Sequence, residues 1–133
     1  MNAVQEPVLS LAIFVARLCL SAVFLASGIH KAFRFTSAIE EFRRAGLPAP
    51  SLLALITVVL HLLASAGLLT GILLMESALS LAVFTLLATI KVHDFWNRSG
   101  KDRLVSSREA LVNLAVIGGL VLLAVTGPGQ FTL

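Results

Sequence analysis

The stretch from Leu9 to Lys31, LSLAIFVARLCLSAVFLASGIHK, is apolar enough and long enough to cross a bilayer, yet it carries Arg17 in its interior. A helix needs about 20 apolar residues to span a hydrocarbon layer of roughly 30 Å at about 1.5 Å per residue. A guanidinium held against lipid in such a helix costs between about 3 and 15 kcal/mol. Arg17 is therefore expected to point inward, toward protein or water. At helical spacing it shares a stripe with Ser10, Ser21 and Gly28, while Leu18, Leu20, Val23 and Leu25 lie largely away from it.

The remaining composition agrees with a membrane protein. Of 133 residues, 58% are hydrophobic and 13% charged, about half the charge of an average soluble domain. That length holds four spans with short connections, so a single domain over residues 1–133 is expected. The net positive charge flanks apolar runs and forms no continuous basic face, which excludes nucleic acid as a partner. Cys19 is the one cysteine, leaving no intrachain disulfide, C-x-x-C pair or thiolate metal site. Residues 1–8 hold no lysine or arginine and include Glu6, unlike the start of a signal peptide, so the first helix is expected to stay attached.

Read along the chain, spans are predicted at about 9–30, 51–71, 77–95 and 107–126. A short interfacial helix at about 36–45 is predicted between the first two, with Phe35, Ile39 and Phe42 along one side and Thr36 or Ser37 as its cap. Gly46, Pro48 and Pro50 stop it. The connection Ile72–Glu76 is short, so spans two and three should be antiparallel neighbours, and Gly67 with Gly71 would let a neighbouring helix approach. Asn97–Ser107 reads as a loop, and Gly127-Pro128-Gly129 ends span four. The expected fold class is all-α, an integral membrane four-helix bundle running up-down-up-down. Lys31, Arg34, Arg43 and Arg44 lie in or beside the first connection, and Lys91, Arg98, Lys101, Arg103 and Arg108 in or beside the third. The tails and the second connection hold no lysine or arginine, so the positive-inside rule puts both long connections in the cytoplasm and both termini outside it.

Two polar clusters are candidates for ligand binding. Counting residues from the basic ends puts Arg17 and His61 at similar depth, so the imidazole can accept from the guanidinium, with Ser21, Thr57 and Ser65 adding oxygens nearby. Such a pair either fixes helix register or lines a pocket for a small ligand such as a quinone headgroup or an anion. The second cluster gathers His30, Lys31, Lys91, His93 and Asp94 near one level, with Asn113 slightly inside span four. It either binds a headgroup or relays protons, or it consists of side chains snorkelling to the interface. A haem or metal site is not expected, because no H-x-x-x-H or Cys/His set is present. Nucleotide loops, G-x-S-x-G and paired carboxylates within the spans are absent too, which argues against phosphoryl transfer and hydrolysis.

The motifs R-L-x-L-S-x-x-F-L-x-S-G-I-H-K at 17–31, A-G-L-P-A-P at 45–50, K-V-H-D-F-W-N at 91–97, V-N-L-A-V-I-G-G at 112–119 and the terminal G-P-G-Q-F-T-L resemble the DoxX family of small bacterial membrane proteins. The likeness covers nearly the whole chain. It implies a four-helix bundle in the bacterial inner membrane and a role as a subunit of a quinone-linked oxidoreductase system, with a redox enzyme as cytoplasmic partner and no intrinsic cofactor. Arg17, Gly28 and Lys31 match the first-span pattern, and His93, Asp94, Phe95 and Trp96 the end of the third. His61 stands where relatives often have glutamate, and Val112 where they often have lysine. The alternatives are a non-catalytic anchor or assembly protein docking a partner or anionic lipid through its basic connections, and a small transporter, which would require copies to assemble into a homo-oligomer.

Overall fold

Glycine and proline punctuation divides the chain into helices. The computed structural model describes residues 2–133 and contains α1 (Gln5–Phe33), α2 (Phe35–Arg44), α3 (Pro50–Thr70), α4 (Leu74–Lys91), a single 3-10 turn (Phe95–Asn97) and α5 (Gly100–Thr126). Four of these are long and apolar enough to span a membrane, and no strand occurs among the described residues. Asn2 and Gln5 exchange reciprocal bonds before α1, Gln5 N–H to Asn2 Oδ1 at 3.0 Å and Asn2 N–H to Gln5 Oε1 at 3.2 Å. Gly71, at φ +82°, closes α3 in the left-handed region.

Two sequence expectations need correcting. The polar segment expected as a loop is helical from Gly100 onward. Its lysine, aspartate and arginine are polar but compatible with a helix, and Asp102 sits favourably in the first turn, where the peptide dipoles leave positive charge. The second correction concerns α2, which starts at Phe35 behind Arg34 and has no side-chain cap. Thr36 and Ser37 lie inside its first turn.

The four long helices alternate in direction. α1 packs chiefly on α3 and α4 chiefly on α5, with α3 against α4 and α5 against α1 closing the bundle. Ser10, Ile13, Arg17, Ser21, Phe24 and Gly28 form the buried stripe of α1, as the period of that helix requires. α2 folds across the basic end and buries Phe42 and Ala38 against Ala54 and Val92, with Phe35 and Ile39 alongside. At the other end, Leu68, Leu81, Leu120 and Leu123 fill the interior and are at most 2% exposed.

Gly67 sets the closest approach between α3 and α4. A Cβ there would overlap Ser77 Oγ and stand 3.1 Å from both Ser77 Cβ and the Ile72 carbonyl oxygen. Gly67→Val is therefore expected to cost about 1–3 kcal/mol, because backbone has to move. Gly118→Val, at a position open to its surroundings, should leave the unfolding midpoint almost unchanged. Thermal unfolding of the two variants in one detergent checks the contrast.

Candidate functional site

Arg17 is buried, 1% exposed, and its guanidinium is spent on backbone. Nε donates to the Leu68 carbonyl at 2.7 Å, Nη2 to Leu69 at 2.6 Å, and Nη1 to Pro128 at 3.0 Å and to Phe131. Leu68 and Leu69 carry carbonyls of the last turn of α3, which lack partners within the helix and sit at its negative end. The Phe14 ring lies 5.7 Å from the guanidinium carbon and 5.2 Å from the Phe131 ring, centroid to centroid. Leu133 N–H adds a bond to the Thr70 carbonyl at 2.9 Å. Arg17 thus clamps the C-terminal segment, residues 127–133, across the end of α3.

The expected Arg17–His61 pair does not form. His61 faces Phe24 and Gly28 of α1, and Phe24 lies seven residues from Arg17, a separation of about 10 Å along the helix. The amino-terminal turns of α1 extend past the end of α3, so Arg17, twelve residues into α1, falls level with the last turn of α3. Nor do the neighbouring hydroxyls serve such a pair. Thr57 Oγ1 donates to the Leu53 carbonyl at 2.7 Å, and Ser21 Oγ to the Ser65 carbonyl at 3.4 Å. Ser65 Oγ is buried without a partner among the described residues.

His61 instead stands at the inner end of a chamber of about 330 Å³ that opens at the basic end of the bundle. The imidazole is 4% exposed. It packs edge-on against Phe24 at 5.3 Å and Phe84 at 5.0 Å. Neither ring nitrogen has a hydrogen-bond partner among the described residues. Val23 and Val116 continue the apolar wall, whereas Lys31, Glu41, His93 and Glu109 line the outer part. Lys31 Nζ donates to Ser27 Oγ at 3.2 Å, and Asn113 Nδ2 to Thr89 Oγ1 at 2.9 Å. Glu41, His93 and Glu109 also line an outer vestibule of about 500 Å³ that includes Arg44 and Arg98.

The structure therefore redistributes the candidate residues. His61, His93 and Asn113 line one chamber, which joins parts of the two clusters. Arg17, Ser21 and Ser65 belong to the α1–α3 seam. Lys91 and Thr57 line a separate apolar cavity, and Asp94 accepts from Arg98 at 3.0 Å and Asn97 at 3.3 Å. Glu41 and Glu109 escaped the sequence reading. Glu109 had a usable signal: Glu109, Val112, Asn113 and Val116, all inside the span expected at 107–126, repeat at helical spacing along one face.

Over residues 12–94 the chain matches the sequence profile of the DoxX family. It is 28% identical over 128 residues to inner membrane protein YphA of Escherichia coli strain K12, covering 96% of this chain and 89% of that protein. To inner membrane protein YqjF of the same organism it is 27% identical over 121 residues, covering 91% and 88%. No solved structure matches.

Proposed function

Because the chain belongs to the DoxX family and is a small integral membrane protein, we propose that it is the ligand-holding subunit of a quinone-linked redox system in the inner membrane. In this reading the chamber receives the headgroup, and its mouth and the basic end face the cytoplasm. The distribution of lysine and arginine supports that orientation.

The observation carrying the reading is the buried imidazole of His61 at the end of the chamber, which has no hydrogen-bond partner among the described residues. A buried polar group left without a partner costs about 1–3 kcal/mol, so a ligand atom that completes it gains what the free protein forgoes. A neutral imidazole offers one N–H donor and one acceptor, which suits a carbonyl or hydroxyl oxygen. The faces and edges of Phe24 and Phe84 suit a flat ring. The volume sits at the lower limit of ordinary ligand pockets, about 300–1,000 Å³.

Charge favours a neutral ligand over an anion. Glu41 and Glu109 together outweigh Lys31 along the lining. A quinone supplies reversible uptake of two electrons and two protons when bound. His61 would orient it by hydrogen bonding, Lys31 would offer a second donor, and Glu41, His93 and Glu109 would pass protons between the vestibule and the ring. Cys19, the one thiol, is exposed on the outside of α1, so electrons would arrive from a partner enzyme at the basic end. The leucine-filled half beyond His61 supports a dead-end chamber over a transport path.

A photoactivatable quinone headgroup probe tests this in purified protein reconstituted in nanodiscs. After illumination and peptide mapping, labels are expected on residues 23–27 and 84–88, and excess unlabelled quinone should suppress them. Labelling confined to outward-facing residues such as Leu63 and Val125, or labelling that excess quinone leaves unchanged, would overturn the reading.

A further inference from the structure

α3 and α4 are joined tightly at the Gly67–Ser77 contact near their short connection. Toward the basic end the space between them widens into two cavities. One is the chamber. The other, on the outer side, has a volume of about 310 Å³ and a lining drawn from α2, α3 and α4. Phe84 and Ala88 line both cavities, so the two spaces adjoin at one phenyl ring and one methyl group.

The outer cavity is built for hydrocarbon. Phe42, Leu53, Ile56 and Leu87 supply its surface. Thr57 contributes no free hydroxyl, because Oγ1 is bonded to the Leu53 carbonyl of its own helix. Ile56 and Leu87 are 48% and 56% exposed, so the cavity opens through the face that two membrane spans turn outward. Lys91, exposed in the same lining, stands at its basic end.

We propose that this groove seats the hydrocarbon tail of the ligand whose head occupies the chamber, with the tail passing beside Phe84 between α3 and α4. The assignment rests on the headgroup reading above and specifies its ligand further: a long-tailed membrane amphiphile that enters laterally from the bilayer. Shared walls, an outward opening and a carbon lining beside a polar chamber are the features such an amphiphile requires. A water-soluble ligand arriving through the vestibule would use the chamber alone.

The test compares one quinone head carrying a one-unit or an eight-unit isoprenoid tail, bound to wild type, Ile56→Trp and Leu87→Trp in nanodiscs. Both substitutions fill the groove from positions outside the chamber lining, and their exposure lets the helices fold around them. In wild type the long tail is expected to bind at least about tenfold tighter after correction for partitioning into lipid. In the tryptophan variants that gain should fall to less than about threefold, with short-tail affinity unchanged. Equal tail-length dependence in all three proteins would overturn the tail seat while leaving the headgroup reading intact. A phospholipid that co-purifies with wild type, is lost from both variants and is not displaced by the long-tailed quinone would also overturn it, by giving the groove to bulk lipid. Failure of both probes to bind wild type would overturn the two proposals together.

Discussion

Replacing Arg17 with leucine is expected to lower stability by about 2–4 kcal/mol, because carbonyls that lose a charged donor and stay buried cost about 1–3 kcal/mol each, an amount partly offset by no longer burying the charge itself, and to lower the unfolding midpoint by about 10 °C. The four carbonyls that the guanidinium reaches belong to two segments, Leu68 and Leu69 at the end of α3, and Pro128 and Phe131 in the C-terminal segment. A leucine supplies no donor to either. The loss should therefore have a local signature, with residues 128–133 becoming open to carboxypeptidase while the bundle is still folded. Arg17→Lys keeps the charge but lacks the fork that serves both segments, and should recover no more than about half of the loss. Thermal unfolding with carboxypeptidase trimming, followed by intact mass, reads both quantities. Wild-type stability and tail protection in the leucine variant would remove the clamp.

His61→Leu should act in opposite directions on the fold and on the ligand. Leucine fits the apolar cage of Phe24 and Phe84 and eliminates two buried nitrogens that have no partner among the described residues. Stability is expected to rise by about 1–2 kcal/mol, since exchanging an unsatisfied polar group for an apolar one removes a desolvation cost. Binding of a quinone headgroup probe should weaken at least about tenfold, the equivalent of one hydrogen bond of about 1.4 kcal/mol. His61→Gln, which keeps a donor and an acceptor, should lie between wild type and leucine in affinity. Unfolding and equilibrium binding measured on the same preparations give the two signs. A leucine variant that is less stable and binds as before would make the imidazole a structural element.

Much of the fold was legible because burial in a membrane bundle leaves a helical period in the sequence. Ser10, Arg17, Ser21 and Gly28 were placed on one face by spacing alone, and that face is buried. Phe35, Ile39 and Phe42 similarly marked the side of α2 that packs. The partners of Arg17 were not legible, because they are backbone carbonyls and every residue has one. Nothing in the letters at 68, 69, 128 and 131 distinguishes those acceptors. The chamber was half legible. His61, His93 and Asn113 stood out as polar groups near apolar runs, but their meeting depends on how α3, the end of α4 and α5 pack around one space, which tertiary packing decides. Glu41 sits beside Glu40, whose pairing with Arg43 and Arg44 at 2.7 and 3.3 Å looks in sequence like any solvated helix face.

The clamp also bears on biogenesis. The first helix leaves the ribosome with a cation whose acceptors are still unmade: two emerge with residues 68 and 69, and the others only with residues 128–131. Until then the translocon must shelter that helix, or let it ride near the lipid boundary where water can reach the side chain. A nascent chain interrupted before residue 128 would keep a half-satisfied cation, with only the Leu68 and Leu69 carbonyls to receive it.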